Sequence, residues 1–280
     1  MQEHGDPGGK EQAMAKKAFC VGINDYPYDG SDLNGCVNDA MAWAGVLKEL
    51  YGFTDITIAL DKDATKKRML DGIKALLEGA SAGDVLVFTN SSHGSYKADT
   101  DGDEEKYDEI LCPYDIADND IVDDELRNLF ENLGDDVRLT AILDNCFSGT
   151  ATRAPVSEII PGLRTPDDRR VRFLSPALRG GKVLQNPWKA KPTRVEQHPE
   201  SAMKDVLLSG CTDKEYSYDA NIDGTYHGAM TYYALKAIRE APEALTYNRL
   251  HSRITSLIGD YPQHPQLEGS TANKRRKLFT

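Results

Sequence analysis

Two side chains in this 280-residue sequence could together make a nucleophile, His93 and Cys146, and they stand 53 residues apart. Each follows an apolar run. Val85 to Asn90 leads into Ser91-Ser92-His93-Gly94, and Val137 to Leu143 leads into Asp144-Asn145-Cys146-Phe147-Ser148-Gly149. A thiol with a pKa of about 8.5 is a poor nucleophile at neutral pH, whereas a neighbouring imidazole can take its proton and stabilise the thiolate. Gly94 and Gly149 would let backbone N–H groups approach a developing oxyanion. Taken singly, a strand-end cysteine is most often a buried apolar residue and a loop histidine a satisfied polar one. Their joint placement favours the dyad.

The elements that would position the pair are legible as short apolar runs at Lys17 to Asn24, Ile56 to Leu60, Val85 to Asn90, Val137 to Leu143 and Val206 to Gly210. Such runs read as buried strands. Between them lie segments of helical spacing: Val37, Ala40, Met41, Ala44, Leu47 and Tyr51; Met69, Ile73, Leu76 and Leu77; then Leu126 to Leu133, Met230 to Ile238 and Leu245 to Ile258. Alternating strands and helices predict an α/β fold, a mostly parallel sheet covered on both faces. Open sheets of this kind hold their reactive groups beyond the carboxyl ends of the strands, so His93 and Cys146 converge if their strands are neighbours. Residues 1–16, Gly-rich and charged, read as a disordered tail without the features of an export signal, and 17–280 as a single domain. From Arg153 to Met203 seven prolines and ten Lys or Arg residues predict a long exposed loop.

Composition narrows the partners. The formal net charge is −12, which argues against nucleic acid or an anionic membrane surface. No apolar run approaches the roughly 18 residues of a spanning helix. Five cysteines are too few and odd in number for a disulfide framework, which predicts a reducing, cytoplasmic location.

Two groups of carboxylates remain. Asp144 precedes Cys146 by two residues, at the floor of the expected cleft, where a carboxylate is costly unless a cation pairs with it. Asp39 lies in the first turn of the helix starting near Gly35, where by itself it needs no role beyond the helix dipole. The second group runs from Asp99 to Glu109 and on from Asp115 to Glu125. Asp99, Asp101 and Asp103 fit the opening of an EF-hand, but Glu104 and Ile110 stand where that loop needs Gly and Glu. The residues alone favour a solvated acidic loop, with Asp123 or Asp124 capping the helix that follows.

Several segments resemble the caspase-like cysteine peptidases, and most nearly type I metacaspases and their bacterial relatives. They are Val21-Gly22-Ile23-Asn24, Leu33-Asn34-Gly35-Cys36-Val37-Asn38-Asp39-Ala40, Ser92-His93-Gly94, Asp144-Asn145-Cys146-Phe147-Ser148-Gly149 and Leu208-Ser209-Gly210-Cys211, in the family's order. The separation of His93 from Cys146 also matches the roughly 50 residues of the caspase pair. Ser92 departs from the pattern, which more often has Gly before the histidine.

The resemblance implies a caspase-like three-layer α/β/α sandwich, with 17–152 as large-subunit part, 153–204 as processing loop and 205–280 as small-subunit part. It implies His93 and Cys146 as catalytic residues, with backbone N–H groups near Gly94 and Cys146 as the oxyanion donors. Cys36, Asp39, Ser91 and Asp144 match a primary specificity pocket for Arg or Lys. Two acids in one pocket make the same choice on electrostatic grounds. Asp108, Asp123 and Asp124 match calcium ligands, although Arg153 stands where some members carry a further acidic ligand.

The expected function is therefore a cysteine endopeptidase acting on proteins or peptides after Arg or Lys. It would process itself within 153–204 and be activated by Ca²⁺ or by an upstream protease. Two alternatives stay open on sequence: an inactive caspase-like interaction scaffold, and a thiol acyltransferase or ligase built on the same dyad. His227, in its Tyr-His-Gly context at a helix entrance, is the weaker candidate for the base.

Overall fold

The computed structural model describes residues 14–98, 107–117, 119–146, 169–179, 203–212 and 215–280. All five expected strands form, and they are the five parallel strands of one sheet. β1 (Lys16–Gly22), β2 (Asp55–Leu60), β3 (Val85–Ser91), β7 (Arg138–Asp144) and β9 (Val206–Ser209) lie in the order β9-β7-β3-β1-β2. A sixth strand, β12 (Gln266–Gly269), joins β9 antiparallel at the edge.

The buried strands alternate their side chains between two cores, as a pleat requires. Ala18, Cys20, Val85, Val87 and Ile142 face α1 (Cys36–Tyr51), α4 (Ala229–Glu240) and α5 (Tyr247–Leu257). Phe19, Val21, Leu86, Phe88 and Ala141 face α2 (Lys66–Leu77) and α3 (Asp123–Glu131). Helices therefore cover both faces of the sheet, the expected sandwich; a last short helix, α6 (Thr271–Lys274), follows β12.

Two small antiparallel sheets sit beyond the carboxyl ends of the main strands. One is β4 (Gly94–Ala98), β5 (Tyr107–Leu111) and β6 (Ile121–Val122). The other is β8 (Arg170–Val171), β10 (Tyr218–Ile222) and β11 (Thr225–Gly228). Their strands are too short and too polar to stand out as apolar runs. Helix α3 corrects one expectation: its cap position is Val122, and Asp123 and Asp124 lie inside the first turn, where they still favour the positive end of the helix dipole.

Candidate active site

β3 and β7 are hydrogen-bonded neighbours, with Ser91 opposite Asp144. The chain therefore reaches His93 and Cys146 two residues beyond one rung of the sheet, at the carboxyl ends of neighbouring strands. Both are buried. The His93 Nε2 lies 2.6 Å from the Ser31 carbonyl oxygen. A carbonyl only accepts, so Nε2 carries the hydrogen and Nδ1 is the bare, proton-accepting nitrogen. That Nδ1 is buried with no hydrogen-bond partner. Tyr26 packs against the ring at 4.9 Å, accepts from the His93 N–H and donates to the Cys112 carbonyl at 2.8 Å. Burial pushes the His93 pKa down to about 4, against the pull of the Ser31 carbonyl, and the Arg172 guanidinium adds to the lowering. The Cys146 thiol meets the main chain of Ser217, accepting from its N–H and lying 3.5 Å from its carbonyl, with the Cys211 sulfur 3.9 Å away.

The backbone N–H groups of Gly94 and Cys146 converge on one atom. Both donate to the carbonyl oxygen of Arg172, at 3.0 and 3.2 Å. Two donors aimed at one oxygen beside a thiol have the geometry of an oxyanion cradle. Only glycine fits at 94, because a Cβ there would overlap the Cys146 carbonyl.

The side chain of Arg172 fills the expected acidic pocket. Its guanidinium lies 2.7 Å from Asp39 Oδ2, 3.1 Å from Asp219 Oδ1 and 3.5 Å from Asp144 Oδ2, and it also donates to the Asp144 carbonyl at 2.9 Å. Every member of this cluster is buried. Burial alone would lower the Arg172 pKa, but Cys36, Asp144, Asp39 and Asp219 outweigh it, and the guanidinium stays charged.

Each acid is itself held by donors. Asp39 accepts from the Gly228 N–H and pairs with His227 Nδ1 at 2.9 Å; Asp144 accepts from the Ser217 hydroxyl and the Thr231 N–H; Asp219 accepts from the Asn34 and Gly35 N–H groups. Cys36 adjoins the same charges, and Ser91 sits between Gly22 and Asp144 in the sheet register. His227 is thus tied to the pocket acid Asp39 through its Nδ1. The sequence did not single out Asp219 or Arg172. No local signal marks Asp219 within the short mixed strand β10, and nothing separates Arg172 from the other basic residues of its segment.

The main chain around Arg172 is equally fixed. Its N–H donates to the Ser217 carbonyl at 2.9 Å, and Val171 pairs with Tyr218. Phe173 bridges Gly94, and the Leu174 N–H donates back to the Gly94 carbonyl at 2.9 Å. Residues 169–174 therefore correct the expected exposed loop: they cross the cleft as an extended strand between β10 and Gly94. Residues 153–168 and 180–202, where most of the remaining basic positions fall, lie outside the described residues, as do Phe147, Ser148 and Gly149.

The acids expected to bind calcium are placed differently. Asp108 lies on β5 opposite Lys97, while Asp123 and Asp124 both pair with Arg127. Among the described residues no three His, Cys, Asp or Glu side chains gather closely enough to hold a metal ion. Calcium takes six to eight oxygens, so a site on Asp108, Asp123 and Asp124 would draw further oxygens from main-chain carbonyls or water and would compete with Arg127 for two of its acids. Asp99, Asp101, Asp103, Glu104 and Glu105 lie outside the described residues.

Residues 16–155 match the family model described as metacaspase, peptidase C14 domain. The chain belongs to the metacaspases. Its curated relatives include Metacaspase-1 of Cryptococcus neoformans, 33% identical over 294 residues, which cover 94% of this chain and 64% of that protein. Metacaspase-1 of Scheffersomyces stipitis is 32% identical, covering 91% of this chain and 70% of that one. This metacaspase thus spans about two thirds of the length of such relatives. Among solved structures, caspase-1 of Spodoptera frugiperda shares the fold at a TM-score of 0.57 and 12% identity, covering 96% of this chain and 94% of that one. A Geobacter sulfurreducens protein does so at 0.70 and 24% identity, covering 95% and 98%. No helix among the described residues of this metacaspase is long and apolar enough to cross a membrane.

Proposed function

We propose that the chain is a cysteine endopeptidase that cuts after Arg or Lys through Cys146 and His93. One observation carries the reading: an arginine lies with its guanidinium among Asp39, Asp144 and Asp219 while its carbonyl oxygen accepts from the Gly94 and Cys146 N–H groups. A substrate in that register presents its carbonyl carbon to the thiol. His93 Nδ1 takes the Sγ proton, sulfur adds to the carbonyl carbon, and the two N–H groups stabilise the oxyanion. The proton passes from His93 to the departing amine as the C–N bond breaks. Water then attacks the thioester with His93 again as base, releasing the new carboxylate. Family membership supports the peptidase chemistry, and the charge of the pocket supports the basic preference, since an acidic side chain there would be repelled and desolvated.

Self-processing within 153–204 belongs to the same reading, because basic residues of that segment fit the pocket and one already occupies it. Calcium binding at Asp108, Asp123 and Asp124 is proposed on the resemblance alone; no catalytic step passes through it. The test pairs fluorogenic peptides ending in Arg and in Asp, with wild type and Cys146→Ala, each with calcium or chelator. Cleavage after Arg only, lost in Cys146→Ala, is the expected result. Equal cleavage of both peptides would sink the pocket assignment, and persistence in Cys146→Ala would sink the nucleophile.

A further inference from the structure

Beyond Arg172 the strand continues in a way the acidic pocket does not explain. The ring of Phe173 stacks on Tyr96 with centroids 6.0 Å apart and planes at 21°, and meets Tyr216 at 6.3 Å and 53°. Tyr96 and Tyr216 are 3% and 6% exposed, so both are built into the wall of the cleft. They come from opposite sides of it. Tyr96 is two residues past the cradle donor Gly94 on β4, and Tyr216 is one residue before Ser217, whose main chain touches both the thiol and the Arg172 N–H. Val171, Cys146, Cys211, Tyr216 and Tyr218 form one apolar cluster against which Phe173 packs. The direction of the chain is fixed at both ends of this contact: Val171 pairs with Tyr218 on one side of Arg172, and Leu174 bonds to Gly94 on the other. Phe173 therefore occupies the position of the residue immediately after the cut.

We propose that Tyr96 and Tyr216 form a leaving-side subsite that selects an aromatic residue directly after the cut, and that Arg172–Phe173 is the peptide bond of this chain set in it. The inference rests on the proposed basic-residue peptidase and deepens it: the substrate class becomes Arg followed by an aromatic. In the intramolecular reaction Cys146 Sγ bonds to the Arg172 carbonyl carbon and the Arg172–Phe173 C–N bond breaks. The thiol proton leaves with the Phe173 nitrogen, and water converts the thioester to the Arg172 carboxylate. Aromatic contacts in a water-excluded slot add to simple area burial, and the gain here is on the order of tenfold in kcat/KM.

The experiment uses the full chain and internally quenched peptides containing Val-Arg-Phe-Leu or Val-Arg-Gly-Leu, beside an Arg-amide fluorophore that has no residue after the cut. Tyr96→Leu and Tyr216→Leu accompany wild type, and mass spectrometry follows the chain's own fragments. The expected results are faster cleavage of the Phe peptide by about tenfold, collapse of that ratio toward one in both variants while the Arg-amide is still hydrolysed, and a self-cleavage fragment beginning at Phe173. Equal rates for the two peptides in wild type, with the Arg-amide turned over, would overturn the subsite and leave the peptidase reading intact. A Phe preference unchanged in Tyr96→Leu and Tyr216→Leu would also overturn it. Failure on all three substrates would instead overturn the reading on which it rests. Where a leucine variant does not fold, Phe173→Gly supplies the second measurement: its self-cleavage slows if the slot is a subsite, and an unchanged rate counts against it.

Discussion

Arg172 is the residue on which the site turns, because one side chain neutralises three buried carboxylates. Removing one partner of a buried ion cluster leaves the others uncompensated, at a cost of about 3–5 kcal/mol. Arg172→Ala is therefore expected to lower the thermal midpoint by several degrees or more, with Arg172→Lys recovering part of the loss. A midpoint unchanged in calorimetry of the alanine variant would mean that the pocket is hydrated and the cluster weak. Asp39 gives the complementary prediction for function. Asp39→Asn keeps the shape and can still accept from the Gly228 N–H, but it loses the charge facing the guanidinium. A charge-assisted hydrogen bond is worth about 1.5–3 kcal/mol, so kcat/KM on Arg substrates should fall by about ten- to a hundredfold. An unchanged value would remove Asp39 from the pocket.

At the scale of elements, the cleft is held by two small sheets rather than by the large one. β4 and β10 form its walls, and β8 with its extension to Leu174 is the strand between them. That strand is bound mainly at its edges and through one side chain, so it should open more readily than the parallel core. An arginine-ended peptide aldehyde that captures Cys146 is expected to displace it. Hydrogen exchange would then show the Arg172 and Leu174 amides, which donate to Ser217 and Gly94, losing protection while β3 and β7 keep theirs. Continued protection of both amides after capture would mean that the strand is a permanent wall. Gly228 tests the same joint from the other side. A Cβ there would overlap Asp144 Oδ2 and the Arg172 guanidinium, so Gly228→Ala should reduce expression of folded protein or weaken Arg turnover, read by circular dichroism and peptide assay.

For the whole molecule, burying His93 couples the site to global stability. The unfolded chain binds a proton on this histidine below about pH 6.5, whereas the folded chain holds its pKa down to about 4, first through burial. The unfolded state thus carries more protons between those values, and stability falls as the pH drops from about 6.5 toward 4. Denaturant titrations at pH 7 and pH 5 should show this loss, and His93→Gln should flatten the slope. A slope unchanged by the substitution would assign the acid sensitivity to other groups; the buried Asp219 is not one of them, because burial raises its pKa and a raised carboxyl favours the folded state as the pH falls.

The five parallel strands and their covering helices were legible because each strand is a continuous apolar run, which local sequence reports directly. His93, Cys146 and Asp144 were legible for a related reason. They sit at fixed offsets from strand ends, so finding the strand finds the residue, whereas Asp39 at its helix start was assigned to the pocket only through the family resemblance. The small sheets were not legible, since two- to five-residue polar strands carry no periodic signal. Asp219 was hidden with them: it reaches the pocket only because β10 crosses over the amino end of α1. Arg172 was hidden among other basic residues in a Pro-rich segment whose composition reads as solvated. Sequence alone determined which chemistry the chain could carry and where the scaffold would set it. Only the tertiary structure decided which arginine enters the pocket and which tyrosines flank the residue after it. Those choices depend on contacts between segments tens to more than a hundred residues apart, and no local pattern encodes them.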